Sequence, residues 1–287
     1  MSEEKLTAVL LWSCPDAKGL VSRVARFLSD HGGNILDLDE HVDRLEKMFF
    51  LRVAWDMSDF TVAPGDVEEG FRPLAAECGA QYSIRLGNKK RRLAIFVSRQ
   101  DHCLQEILWR QDMGEFRAEI PLIISNHPDA ATLAGRYSIP FHVVEVDAGN
   151  RADQEEKEFA LLGAARVDTI ILARYMQMLS PSFIRRFPHR IINIHHSFLP
   201  AFAGRNPYGQ AYERGVKIVG ATSHYVTEVL DDGPIIEQDV VHITHKDSLD
   251  DLIRKGRDLE RLVLARALRL HLQDRILVHG RKTVVFE

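Results

Sequence analysis

Apolar and polar positions alternate along this chain in two different rhythms. Residues 6–12, L-T-A-V-L-L-W, make a run of strand length, and Leu20, Val21, Val24, Ala25, Phe27 and Leu28 then recur at helical spacing. Gly32-Gly33-Asn34 stops that helix, because glycine accepts the left-handed backbone of a helix C-terminus. Asp16, in the turn before it, is a candidate N-cap. Residues 35–43 and 47–55 read as two strands joined by a turn near 44–46. Pro64 opens a second helix through about residue 77, and residues 81–86 form a last strand.

Beyond residue 92 strands and helices take turns. Strands are expected at 92–98, 120–125, 141–146 and 168–173, and in the run that ends at Asn193. Helices fall between them at 101–110, 129–136, 153–165 and 181–187. The first stretch thus has the order βαββαβ, the ferredoxin-like plan. The second implies a Rossmann-like, mostly parallel α/β sheet. A strand carrying His224, a tight turn at 230–234 and a strand at 235–243 follow. Ser248, with Asp251 three residues on, caps a long helix whose leucine-rich stripe is core packing. Residues 275–287 read as a hairpin about His279-Gly280. The expected division is a small domain at 1–86, a linker at 87–92 and a larger domain at 93–287.

Composition narrows the function by exclusion. A net charge of −4 argues against nucleic acid as the main partner, since binding phosphates needs a basic surface. The basic run K-K-R-R at 89–92 is therefore read as solvated linker. No apolar run is long enough to span a membrane. The three cysteines, Cys14, Cys78 and Cys103, have neither metal-type nor disulfide spacing, so a cytoplasmic location is expected. No glycine lies between Ser98 and Leu104, in the first strand–helix turn of the larger domain. That speaks against a nicotinamide cofactor.

Candidate chemistry collects at residues 190–200, R-I-I-N-I-H-H-S-F-L-P. In extended geometry Asn193 and His195 share one face, roughly 7 Å apart, at the strand end where open α/β sheets bind ligands. With Asp231 they would pair an amide donor with an imidazole–carboxylate couple. Such a set suits attack on a carbonyl carbon and protonation of a nitrogen leaving group. It offers no covalent nucleophile, since Ser197 lacks a glycine-flanked elbow. A metallohydrolase is the alternative raised by His195, His196, His224, His242 and His245, but they show no H-E-x-x-H spacing. No metal and no cofactor are expected.

These motifs carry a resemblance. I-N-I-H-H-S-F-L-P, G-A-T-S-H-Y-V and L-D-D-G-P, with L-A-R-Y-M-Q-M-L-S-P upstream, are similar to the signatures of folate-dependent formyltransferases. The resemblance implies catalytic roles for Asn193, His195 and Asp231. It implies a folate-binding wall at Tyr175, Met176, Gln177, Met178 and Leu179, with Ile184, Val226 and His224 nearby. D-A-K-G-L-V followed by G-G-N-I resembles an ACT domain, which implies an amino-acid effector, glycine or methionine, near Asp16, Gly19 and Asn34. An ACT-like domain ahead of such a catalytic domain resembles the formyltetrahydrofolate deformylase family. That implies hydrolysis of 10-formyltetrahydrofolate to formate and tetrahydrofolate, in one-carbon metabolism and purine biosynthesis, by a homodimer or homotetramer. The alternatives are transfer of the formyl group to an amine and a non-catalytic folate or amino-acid sensor. The chain departs from the family pattern at Arg205 and Gly209, where alanine and histidine are expected nearby.

Overall fold

A computed structural model describes residues 6–87, 89–147, 149–201 and 207–287. Two compact units divide the chain. The first contains β1 (Thr7–Pro15), α1 (Leu20–Asp30), β2 (Asn34–Asp43), β3 (Met48–Asp56), α2 (Val67–Cys78) and β4 (Gln81–Leu86). Its sheet runs β2-β3-β1-β4, every neighbouring pair antiparallel. Ala8, Leu10, Trp12 and Cys14 alternate into one core with Leu28 and Phe71 of the helices. This is the period of two that the first strand displays in sequence. Two expectations shift. Gly19, with φ of 84°, stands at the N-terminus of α1, and Asp16 makes no capping bond there. The second helix begins at Val67, after a turn in which the Asp66 N–H donates to the Ala63 carbonyl.

The second unit follows as β5 (Arg91–Val97), α3 (His102–Asp112), β6 (Ala118–Ser125), α4 (Ala131–Arg136), β7 (Phe141–Val143), α5 (Arg151–Ala164) and β8 (Thr169–Leu172). It continues with α6 (Pro181–Arg186), β9 (Ile191–His195), α7 (Pro207–Arg214), β10 (Ile218–Tyr225), β11 (Ile235–His242) and α8 (Leu249–Leu272). The strand order is β11-β10-β9-β8-β5-β6-β7. The five strands from β9 to β7 are parallel, and β10 and β11 are antiparallel to their neighbours. From β5 the chain winds outward through β6 and β7, then returns to β8 on the other side. The loops after β5 and β8 therefore part in opposite directions, which is where such sheets open a crevice.

Helix ends follow local chemistry. The Ser180 hydroxyl accepts from the Phe183 N–H at 3.1 Å, and Pro181 opens α6. Ser248 and Asp251 form the expected reciprocal box on α8, at 3.0 and 3.2 Å. Helix α7 was not expected from sequence. It is short and contains Gly209, so its helical signal is weak.

The C-terminal hairpin, β12 (Ile276–His279) with β13 (Lys282–Val285), departs from the expected division. Residues 273–279 and 283–287 belong to the first unit. Phe50, Leu277 and Phe286 are buried together, with Leu11, Met48 and Val284 against them. The hairpin covers the sheet face that α1 and α2 leave bare, which is why β3 is apolar on both sides.

Phe183 is fully buried, its ring stacked on Phe159 at 4.6 Å and edge-on to Phe96 at 6.2 Å. Replacing it with alanine should destabilise the second unit by about 3–5 kcal/mol, read as a lower urea midpoint.

Candidate active site

Strand register sets the first contact. In the antiparallel pair, Asn193 of β9 lies opposite His224 of β10, and His195 opposite Thr222. Partners so placed project to the same face. The Asn193 amide nitrogen is 3.3 Å from His224 Nε2. His224 Nδ1 is 2.9 Å from the Tyr225 carbonyl, which can only accept, so Nδ1 carries the proton. Burial pushes the His224 ring down from its ordinary value, which keeps it neutral. Its Nε2 then accepts from Asn193. The amide is thereby fixed with its nitrogen inward, and its second N–H remains to donate elsewhere.

The second contact is His195 Nδ1 to Asp231 Oδ1, at 3.2 Å. The ring is 6% exposed, and its Nε2 has no partner among the described residues. Burial raises the Asp231 carboxyl, but the hydrogen bond and charge of His195 outweigh it and hold the group below its usual range. Asp231 is therefore ionised at neutral pH. It comes from the turn before β11 and has a left-handed φ of 54°. Gly233 lets that turn press against the end of β10. A Cβ there would stand 1.7 Å from the Tyr225 carbonyl oxygen and 3.3 Å from His224 Nδ1. Buried Thr222 secures the chain after β9: its hydroxyl donates to the Ser197 carbonyl at 2.8 Å and accepts from Leu199 N–H at 3.0 Å. The Ser197 hydroxyl donates to the Ala201 carbonyl, which leaves it poorly placed as a nucleophile.

Asn193, His195 and Asp231 line a cavity of about 300 Å³. All eight residues expected on the substrate wall line it too: Tyr175, Met176, Gln177, Met178, Leu179, Ile184, His224 and Val226. Met176 and Met178 are each 61% exposed, so they are not core residues. They present soft, adaptable apolar surface, suited to a flat ring. The loop that carries them is braced from two sides. Ser98, after β5, accepts from the Met176 N–H at 2.9 Å. From α5, Glu155 accepts from the Ser180 N–H at 2.8 Å, Glu158 accepts from the Tyr175 hydroxyl at 3.2 Å, and Arg151 donates to the Met178 carbonyl. Burial raises the Glu158 carboxyl to about 7, against the lowering effect of the Tyr175 hydrogen bond.

Sequence reasoning did not find Gly233, Thr222, Glu155 or Glu158. Gly233 stands in the quoted D-D-G-P turn, but its close approach to Tyr225 is invisible without coordinates. Asp16 is exposed in the β1–α1 turn, Gly19 precedes α1 and Asn34 starts β2. Gly209 lies buried in α7, and Arg205 falls outside the described residues. His102, Cys103 and Glu260 bring potential metal-ligand atoms within 4.8 Å of one another. The Glu260 oxygens already accept from His102 at 2.8 Å and Tyr208 at 2.6 Å, and an Arg174 nitrogen stands 3.4 Å away. A second cation fits poorly there.

Residues 91–268 match the formyl transferase family, and residues 7–62 match the ACT domain. The formyltetrahydrofolate deformylase of Synechocystis is 52% identical over 99% of both chains. The crystal structure of a formyltetrahydrofolate deformylase from Pseudomonas syringae superposes with a TM-score of 0.96 at 43% identity, covering 100% of this chain and 96% of that one. A glycinamide ribonucleotide transformylase from Symbiobacterium toebii aligns with 69% of this chain and 95% of its own, at 31% identity and a TM-score of 0.65. Fold and site thus define a formyl transferase-type enzyme that carries an ACT domain. Within that class, the chain belongs to the formyltetrahydrofolate deformylase family.

Two outcomes follow from the geometry. Gly233→Ala should push Asp231 off His195 and lower kcat roughly 10-fold to 10²-fold while circular dichroism stays unchanged. Between the ordinary glutamate value of 4.5 and about 7, folded Glu158 binds a proton that the unfolded chain has released, so stability falls as pH rises through that window. Glu158→Gln should flatten this part of a plot of urea midpoint against pH.

Proposed function

We propose that the protein hydrolyses 10-formyltetrahydrofolate to formate and tetrahydrofolate, with no metal or cofactor taking part. The observation that carries this reading is the buried His195 Nε2, unpartnered among the described residues and set beside an ionised carboxylate at the end of an apolar cleft. The pterin lies along the Tyr175–Leu179 wall, which brings the formyl group to Asn193 and His195. The free N–H of Asn193 donates to the formyl oxygen, where negative charge develops.

Water then adds to the formyl carbon. A carbon–oxygen bond forms and the carbonyl π pair moves to oxygen. Asp231 orients the water; because its carboxylate accepts from His195 Nδ1–H, the proton the water gives up goes to the carboxylate or enters the ring at Nε2. His195 Nε2 is the atom free to exchange a proton inside the cleft. As the carbon–nitrogen bond breaks, N10 keeps the electron pair and takes the proton that the water gave up, delivered from His195 Nε2, and formate leaves with tetrahydrofolate. His224 contributes by fixing the Asn193 amide rather than by touching the reacting carbon.

The ACT unit is proposed to take an amino acid such as glycine or methionine near Asp16, Gly19 and Asn34, in a homodimer or homotetramer. A cytoplasmic location is proposed with it; among the described residues no helix is long and apolar enough to cross a membrane.

Purified protein given 10-formyltetrahydrofolate in amine-free buffer should release formate and tetrahydrofolate in equal amounts. Asn193→Ala, His195→Ala and Asp231→Asn should each slow this by roughly 10²-fold or more. Formate release at the parental rate from any of the three would remove that residue from the mechanism. Absence of formate without an added amine would favour the transferase reading.

A further inference from the structure

Arg174 follows β8 at the edge of the catalytic cleft, with a left-handed φ of 64°. Glycine adopts that backbone freely, whereas a residue with a side chain is strained in it. The long side chain is nonetheless kept there and kept buried, at 8% exposure. Its Nε lies 3.4 Å from Glu260 Oε2, and two guanidinium nitrogens donate to Gln100 at 3.2 and 3.0 Å. Glu260 is fully buried and also holds His102 and Tyr208. Gly256, one turn earlier on α8, makes room for this, since a Cβ there would stand 2.0 Å from the Tyr208 hydroxyl oxygen.

His102 of α3 and Tyr208 of α7 thus converge on the Glu260 carboxylate of α8, and that carboxylate holds the guanidinium together with Gln100 from the loop after β5. Arg174 lines the same cavity as His195 and His196. Burial, and after it the Arg174 charge, holds the His196 ring down to about 3 and so neutral. None of this network moves a proton in the reaction proposed above. The transformylase likeness adds a second observation: two differently named activities share this fold, so side chains at the site must separate them.

We propose that Arg174, clamped by Glu260, closes the side of the cleft from which an amine acceptor would reach the formyl carbon, and so makes water the nucleophile. Arg174 is then a specificity-determining residue. Water needs no channel wider than itself, while a primary amine must bring its substituent through the space the guanidinium fills. The fixed cation also repels a protonated amine. This inference rests on the hydrolytic reading above.

The test compares the full-length parent with Arg174→Gly and with Arg174→Gly/Glu260→Gln; the double variant avoids leaving a buried carboxylate unpaired. Each is given 10-formyltetrahydrofolate with increasing glycinamide, and formate and N-formylglycinamide are measured by mass spectrometry. In the formylated product the amine nitrogen has bonded to the formyl carbon and lost a proton, and the bond to N10 has broken with protonation of N10. The parent should give formate with at most a trace of formylated amine. At least one variant should raise the ratio of formylated amine to formate by 10-fold or more, the scale on which one side chain's bulk discriminates. Formate alone from both variants at every glycinamide concentration would overturn the proposal, as would loss of both products. A parent that gives no formate in amine-free buffer would instead mark failure of the hydrolytic reading itself.

Discussion

The pairing of β9 with β10 reverses the direction of an otherwise parallel sheet, and the polar contacts of the site follow from that reversal. Asn193 meets His224 because antiparallel register sets them opposite each other. The chain leaving β10 must turn back to begin β11, and that turn carries Asp231 to His195. A continued parallel sheet would have replaced the turn with a crossover helix, and the carboxylate would have lost its route to the imidazole. Neutral His224 then has a defined task. Its proton is committed to the Tyr225 carbonyl, so it fixes the orientation of an amide that would otherwise be free to flip.

The Tyr175–Leu179 wall of the cleft is organised on a different principle. Its methionines are exposed and compliant, while the backbone beneath them is held by Ser98 on one side and by the acidic residues of α5 on the other. A soft surface on a fixed backbone can follow the outline of a ring without letting its position drift. Glu158 is the least comfortable member of the brace, because one phenolic hydrogen bond does not offset its burial.

How much of this was legible in the sequence depended on the range of the interaction involved. Asn193 and His195 were readable because a period of two places them on one face of a single strand. The ferredoxin-like order and the alternating strands and helices were equally local signals, and so was the Ser248–Asp251 box. Asp231 needed the family likeness, since nothing local ties it to a strand some forty residues earlier. Gly233, Thr222 and the Arg174–Glu260 clamp act through space, so no periodicity announces them. Asp16 looked like a cap because aspartate often is one, but the left-handed Gly19 sits between it and the helix. The hairpin was recognised as a hairpin, but its destination was not, because an apolar β3 face does not say what will cover it.

That destination bears on how the protein is made. The face of the small sheet bearing Phe50 is sealed by Leu277 and Phe286, which follow nearly all of the second unit along the chain. The small sheet, made before the second unit, is therefore completed only after it, and waits with one apolar side uncovered while the second unit is synthesised. A gene cut at the boundary between the two units would not yield a smaller version of the first one, only a sheet missing its back.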